Sequence, residues 1–301
     1  MDFGGSLCTM VPGSDARVVI REAPAKINLW LEVIRKRADG YHDISSLMLP
    51  ISVFDYISVE LRPGDGAISI TCDSPEIPSE AMKNLAWRAA DLFVKKSGVK
   101  TGIHIDLKKH IPSGAGLGGG SSDAACVLVA LNSFFENIIA PSDVEKLAVS
   151  LGADVPFFLY SRAALATGIG EKLEFADHAP CYPLVLIKPP VIVPTGWVYQ
   201  SLKLTRGSSQ IRLSSLGERS RQLGDIVQND LESVTVSHHP VIAEIKKWLV
   251  AQGALAASMS GSGPTVFGIF ETRQAAEDIA TIAKMDWPDC WSQAAQVIDN
   301  L

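Results

Sequence analysis

The 301-residue sequence contains no window of about 18 uninterrupted apolar residues, so it predicts no transmembrane helix. It has no excess of positive charge: 27 Lys and Arg stand against 33 Asp and Glu, giving a net charge of -6 and a pI near 5.5. That balance argues against partners held by backbone charge, so no nucleic acid is expected. It has no CxxC and no Cys/His cluster. The five cysteines, Cys8, Cys72, Cys126, Cys181 and Cys290, are odd in number and scattered, which speaks against a disulfide framework and a zinc site. Free thiols fit a reducing, cytoplasmic setting, and Cys126 inside "AACVLVAL" reads as a small buried hydrophobe. No basic n-region followed by an apolar core opens the chain, so no secretory signal is read there. The Gly, Ser and Pro of residues 1–16 read as a flexible tail.

What is present is ordinary for a globular chain, 47% hydrophobic and 20% charged, and long enough for two packed domains. "RVVIREAPAKINLWLEVIRKR" reads as extended chain. Alternation from Lys26 puts Ile27, Leu29, Leu31 and Val33 on one face and Lys26, Asn28, Trp30 and Glu32 on the other. Turn chemistry at Asp39-Gly40 follows. Further strands are predicted at "DYISVEL", "AISITCD", "GIHIDLKK", "YPLVLIKPP" and "TVFGIF". Helical periodicity marks "NLAWRAADLFVKKSG", ended by Gly98, and a helix from about Ser121 to Asn132. It also marks "PSDVEKLAVSLG" with a capping box of Ser142 and Glu145, "HPVIAEIKKWLVAQG" and "TRQAAEDIATIAK". Strands and helices mix without regular βαβ alternation or an internal repeat, which indicates α+β rather than a doubly wound sheet. A boundary is placed between Tyr160 and Gly170, giving domains 17–165 and 166–301. The polar stretch Lys203 to Gly224 reads as a mobile surface loop or weak helix.

The stretch "IPSGAGLGGGSSDAACVLVALN" raises the question of function. It lacks the Gly-Lys-Ser/Thr of a Walker A loop. A GxGxxG does occur at Gly114, Gly116 and Gly119, but in mid-chain and without the acid about 20 residues on that a dinucleotide site requires. The remaining physics is an anion cradle. Clustered glycines expose backbone N–H groups, and a helix starting near Ser121 points its positive end into the loop. A plain glycine turn with Ser as N-cap is the simpler alternative.

Three separated motifs turn the cradle into a family resemblance. "PSGAGLGGGSSDAA" resembles the phosphate loop of the GHMP kinases, and "PAKINL" and "SMSGSGPTVFGIF" resemble two further stretches of that family. "PAKINLWLEVIRKRADGYHDISSLM", "LGADVPFFL" and "GIGEKLE" look like the branch acting on a cytidine-diphosphate-linked methylerythritol. The matches run in order from Ala23 to Phe270.

The resemblance implies a two-domain α+β fold: an N-terminal ribosomal-protein-S5-like nucleotide domain, a C-terminal ferredoxin-like domain, and the active site in the cleft between. It implies ATP as phosphoryl donor with Mg²⁺, and the 2-hydroxyl of the cytidyl substrate as acceptor. Asp154 in "GADVP" is then the base and Lys26 the cation, although the local sequence also permits Asp154 as an N-cap and Lys26 as a solvated strand residue. ATP contacts are expected from Pro112, Ser113, Gly114, Ala115, Gly116, Leu117, Gly118, Gly119, Gly120, Ser121 and Ser122, with Asn84 and Lys109 flanking the adenine. The substrate is expected at Asn28, Tyr41, His42, Thr195 and Tyr199, with Trp197 competing as the second stacking aromatic. Ser122 matches the family's hydroxyl ligand for the metal; no acid can be assigned beside it. Another GHMP kinase, of homoserine or mevalonate type, and a catalytically inactive binding protein of the same fold are the alternatives. No membrane partner is expected, and the chain is read as a monomer or weak homodimer.

Overall fold

The computed structural model describes residues 8–10, 17–64, 66–75, 81–203 and 223–299. Elements follow in the order β1 (Cys8–Met10), β2 (Arg17–Lys36), β3 (His42–Arg62), β4 (Ile68–Cys72), α1 (Leu85–Ser97), β5 (Gly102–Lys108), α2 (Gly119–Phe134) and α3 (Pro141–Leu151). Next come α4 (Val155–Tyr160), β6 (Ala164–Gly168), β7 (Lys172–Phe175), β8 (Pro183–Lys188), α5 (Thr195–Ser201), α6 (Leu223–Ile226) and β9 (Gln228–Asn229). The chain continues through α7 (Glu232–His238), α8 (Val241–Ala251), β10 (Ala256–Met259), β11 (Val266–Ile269), α9 (Arg273–Asp286) and β12 (Trp291–Gln296). Among the described residues these strands make an eight-stranded sheet, with the path β1-β2-β3-β5-β4 and β6, β7 and β9 joined beside it, and a four-stranded sheet β10-β11-β8-β12. The second sheet, with helices between β8 and β10 and between β11 and β12, has the antiparallel order of a βαββαβ unit. The α+β expectation holds.

Long strands β2 and β3 form the spine, paired antiparallel from Arg17↔Leu61 to Lys36↔His42. Their middle is buried on both faces, because α2 covers one side and the second sheet, through β12, the other. Helix α1 shows why the sequence pattern works. Asn84 caps it by accepting from Ala86 N at 2.8 Å, Gly98 ends it at φ 71°, and Ala86, Ala89, Ala90 and Phe93 form the buried stripe. Burying a side chain such as Phe93 contributes about 1.5–3 kcal/mol. Cys126 is buried as expected, and desolvation pushes its thiol up to about 12. Among the described residues no helix is long and apolar enough to cross a membrane.

Several expectations need correction. The capping box at Ser142 does not form: α3 starts on Ala140 with Pro141 in its first turn and no side-chain cap, while Glu145 instead accepts from the Tyr160 hydroxyl. Helix α2 begins at Gly119, two residues before Ser121, with Gly118 rather than a serine at its N-cap. The break at 165/166 falls inside β6, which pairs with β3 and β7, so the division between the sheets lies between Phe175 and Pro183. Cys8–Met10, expected in a flexible tail, pair with β2. The rest of that tail, and the polar stretch from 204 to 222, lie outside the described residues.

Candidate active site

A cleft of about 920 Å³ opens between β2, the glycine loop, α5 and the loop at Gly261 and Ser262, at the upper end of the range for small-molecule sites. Its floor is β2. Lys26 and Asn28 share a face there, as the alternation predicted, and the Lys26 ammonium donates to Asn28 Oδ1 at 2.5 Å. A register slip between Asn28 and Trp30 then reverses the faces. Leu31 joins Lys26 and Asn28 on the cleft wall, and Trp30 packs with Ala25, Ile27 and Leu29. The expected placing of Trp30 beside Lys26 is therefore overturned by one bulge.

The first glycine loop lies against this floor, tied by Lys26 N donating to Leu117 O at 2.9 Å. Gly114, Gly116 and Gly118 take φ of 60°, 77° and 77°, the alternating left-handed turns that gather N–H groups into an anion nest. Two of these glycines also have no room for a side chain. A Cβ on Gly116 would stand 2.2 Å from Ser260 O, and one on Gly118 2.7 Å from the Phe158 ring. No side chain caps α2, so the amides of its first turn remain for a ligand. The second glycine loop, Ser258 to Pro264, interlocks with the first: Ser260 Oγ donates to Gly116 O at 3.0 Å and Thr265 N to Ala115 O at 3.2 Å.

Asp154 occupies the N-cap position of α4 but makes no side-chain cap bond. Its carboxylate instead stands 3.6 Å from Lys26 Nζ, with 39% of the side chain exposed to the cleft while Lys26 keeps only 4%. The cap reading of Asp154 and the solvated reading of Lys26 both fall. At the other end, Arg37 holds Asp39 at 2.8 Å, and Asp39 accepts from Tyr41 N at 3.1 Å, which fixes the turn before His42. Tyr41 is exposed at the rim. His42 is buried, with burial first and the Lys36 charge second lowering its ring below the ordinary imidazole range. Its ring lies 5.4 Å from that of Tyr199 at an interplanar angle of 31°. Burial, and secondarily the Asp154 charge, raise the Tyr199 phenol, which therefore stays neutral. Thr195 shares a hydrogen bond of 2.8 Å with Ser262 on the cleft wall. Trp197 packs edge-on against His238 at 4.5 Å and does not line the cleft.

Not every expected residue reaches the cleft. Asn84 is spent as the α1 cap, Leu117 is fully buried, and Ser122 is turned into the core with its Oγ unpartnered among the described residues. Ser121, not Ser122, lines the cleft. Lys109 lines it too, with its ammonium held by Asp55 and by Asp123 at 2.6 Å. Asp55 also accepts from His110 N and Ile111 N at 2.6 and 2.9 Å, anchoring the start of the glycine loop. In this cluster burial raises the Asp123 carboxyl above the usual carboxylate range, against the pull of Lys109. Among the described residues no group of three or more His, Cys, Asp and Glu is placed to hold a metal ion.

Sequence reasoning missed Asn229. Its amide donates to Met259 O and Gly261 O, both at 2.7 Å, and its oxygen accepts from Leu231 N, clamping the second glycine loop over Lys26. The polar run Gln228, Asn229, Asp230 was the available signal, but nothing local ties it to a loop thirty residues on.

The family profile for the GHMP kinases N terminal domain matches residues 84–162, and that for the GHMP kinases C terminal matches 208–288. The 4-diphosphocytidyl-2-C-methyl-D-erythritol kinase of Geobacter sulfurreducens is 46% identical over 85% of this chain and 91% of its own length. The enzyme of the same name from Syntrophus aciditrophicus is 42% identical over 90% and 95%. A crystal structure of 4-(cytidine 5'-diphospho)-2C-methyl-D-erythritol kinase superposes with a TM-score of 0.79 at 35% identity, covering 93% of this chain and 99% of that one. Homoserine kinase from Cytophaga hutchinsonii shares the fold, with a TM-score of 0.73 at 22% identity and 97% of each chain covered.

Proposed function

This chain belongs to the GHMP kinases, and among them to the 4-diphosphocytidyl-2-C-methyl-D-erythritol kinases, and from that membership we propose how its cleft works. The reaction is transfer of the γ-phosphoryl group of ATP to the 2-hydroxyl of 4-diphosphocytidyl-2-C-methyl-D-erythritol, a step toward isoprenoid precursors. The observation that carries the site assignment is the pairing of Lys26 Nζ with Asp154 Oδ2 at 3.6 Å beside the glycine nest.

In this reading the amides of Gly114 to Ser121 seat the triphosphate, with the positive end of α2 behind them. The eight-stranded unit and the four-stranded unit act as the nucleotide-binding and C-terminal domains. The cytosine is held between Tyr41 and Tyr199, and a neutral His42 offers one donor and one acceptor to its edge. That aims the 2-hydroxyl at the floor. As its oxygen bonds to the γ-phosphorus and the bond to the β-phosphate oxygen breaks, its proton passes to Asp154. Lys26 stabilises the charge on the attacking oxygen and steers the Asp154 carboxylate. In a loose transition state the proton leaves late, after most of the bond to the leaving phosphate has broken.

Mg²⁺ fits this donor set as an ion that travels with the nucleotide. It is a hard cation that keeps water and phosphate ligands, and Ser121 and Asp154 offer oxygen atoms on the cleft wall. It would neutralise charge on the β- and γ-phosphates.

The test is a rapid-quench measurement with γ-labelled ATP and the cytidyl substrate. Label enters the product at the wild-type rate and at least about 100-fold more slowly in Asp154→Asn. Equal single-turnover rates overturn the assignment of Asp154.

A further inference from the structure

Ser46 lies in β3, fully buried, and forms no part of the cleft wall. Its hydroxyl donates to Trp30 O at 2.8 Å and accepts from Asn28 Nδ2 at 2.7 Å. A hydroxyl has one hydrogen, so once Trp30 O has taken it, only a lone pair faces Asn28. Asn28 must then present its NH₂ to Ser46 and its oxygen to the opposite side, where Lys26 Nζ waits at 2.5 Å. The flipped amide would set NH₂ against an ammonium that can only donate, and would leave the carbonyl facing a lone pair. Both contacts would be lost by a single rotation of one side chain.

The carbonyl that takes the Ser46 hydrogen lies just beyond the register slip between Asn28 and Trp30. The irregularity that brings Leu31 onto the cleft wall is thus adjacent to the fixed end of a chain running Trp30 O, Ser46, Asn28, Lys26, Asp154. Every residue of that chain before Asp154 is buried, and Asp154 opens to the cleft.

We propose that Ser46 is a positioning residue for phosphoryl transfer: by fixing the orientation of the Asn28 amide it holds the Lys26 ammonium in place beside Asp154. This rests on the roles given above to Lys26 and Asp154. If that reading fails, it shows separately, as full activity of Lys26→Ala.

The test is a double-mutant cycle of Ser46→Ala and Asn28→Ala, reading kcat and both KM values, with thermal melts to verify folding. Ser46→Ala is expected to lower kcat about tenfold while both KM values stay within about twofold. In the Asn28→Ala background the same change is expected to cost nothing further, because there is no amide left to orient. Wild-type kcat in Ser46→Ala, or an undiminished loss in the Asn28→Ala background, overturns the proposal. Should Ser46→Ala not fold, Ser46→Thr and Ser46→Val share a shape and differ in the hydroxyl. A kcat about tenfold lower for valine supports the role, and equal kcat values overturn it.

Discussion

Lys26 is 3% exposed, and an ammonium taken out of water is costly unless its hydrogens meet acceptors. Asn28 and Asp154 supply two such acceptors, the first buried and the second open to the cleft, an arrangement that supports the role proposed for this lysine. Lys109 differs in its partners, the two buried carboxylates of Asp55 and Asp123. Burial alone would lower its pKa; the two aspartates outweigh that and raise it, so its charge belongs to the frame of the loop. His42 gives a pH prediction at this scale. Its pKa is lowered by burial and by Lys36, so the neutral ring persists at and above the ordinary imidazole value of about 6.5, and protonation sets in only below it. The KM for the cytidyl substrate is therefore expected to be flat from neutral to mildly alkaline pH and to rise as the pH falls through the shifted pKa. His42→Ala is expected to raise that KM and leave the KM for ATP alone. Initial-rate profiles against pH test both; a KM that is lowest in acid contradicts the role of the neutral ring.

At the scale of elements, the glycine loop is held by close approach as much as by conformation. Gly116 at φ 77° faces Ser260 O so closely that Gly116→Ala must both strain the backbone, at about 1–3 kcal/mol, and push the two loops apart. The expected result is a lower melting temperature and a KM for ATP that rises more than the KM for the cytidyl substrate; an unchanged KM for ATP would show that the loop does not seat the nucleotide. These elements also show what sequence can and cannot carry. The body and the C-terminal end of α1 were readable because its 3.6-residue period and Gly98 act locally; its N-cap was not, since Asn84 was expected beside the adenine. The pairing of Lys26 with Asn28 was readable because a strand has period two. The slip after Asn28 was not, since a bulge is decided by the partner strand, and one extra residue moved Leu31 rather than Trp30 onto the cleft wall. Ser122 failed for a similar reason: starting α2 at Gly119 rotates Ser121 to the cleft and Ser122 to the core.

At the scale of the molecule, the cleft draws Lys26, the glycine loop and Asp154 from one sheet unit and Thr195, Tyr199 and Ser262 from the other. Their order along the chain was legible in the motifs; their meeting was not, because it depends on β9 pairing with β2 and on Asn229 clamping the second glycine loop. On the proposed reading, a cleft assembled in this way selects its substrate through its far wall. Homoserine and mevalonate can present a hydroxyl to Lys26 and Asp154, but neither carries a base to fill the space between Tyr41, His42 and Tyr199. The most direct measurement is ADP release by the purified protein with ATP and Mg²⁺, compared across the cytidyl substrate, homoserine and mevalonate. The proposed reading predicts kcat/KM for the cytidyl substrate at least about 1,000-fold above the other two, as expected where buried hydrogen-bonding groups are left unpaired by the wrong substrate. Turnover of homoserine or mevalonate without turnover of the cytidyl substrate would contradict it.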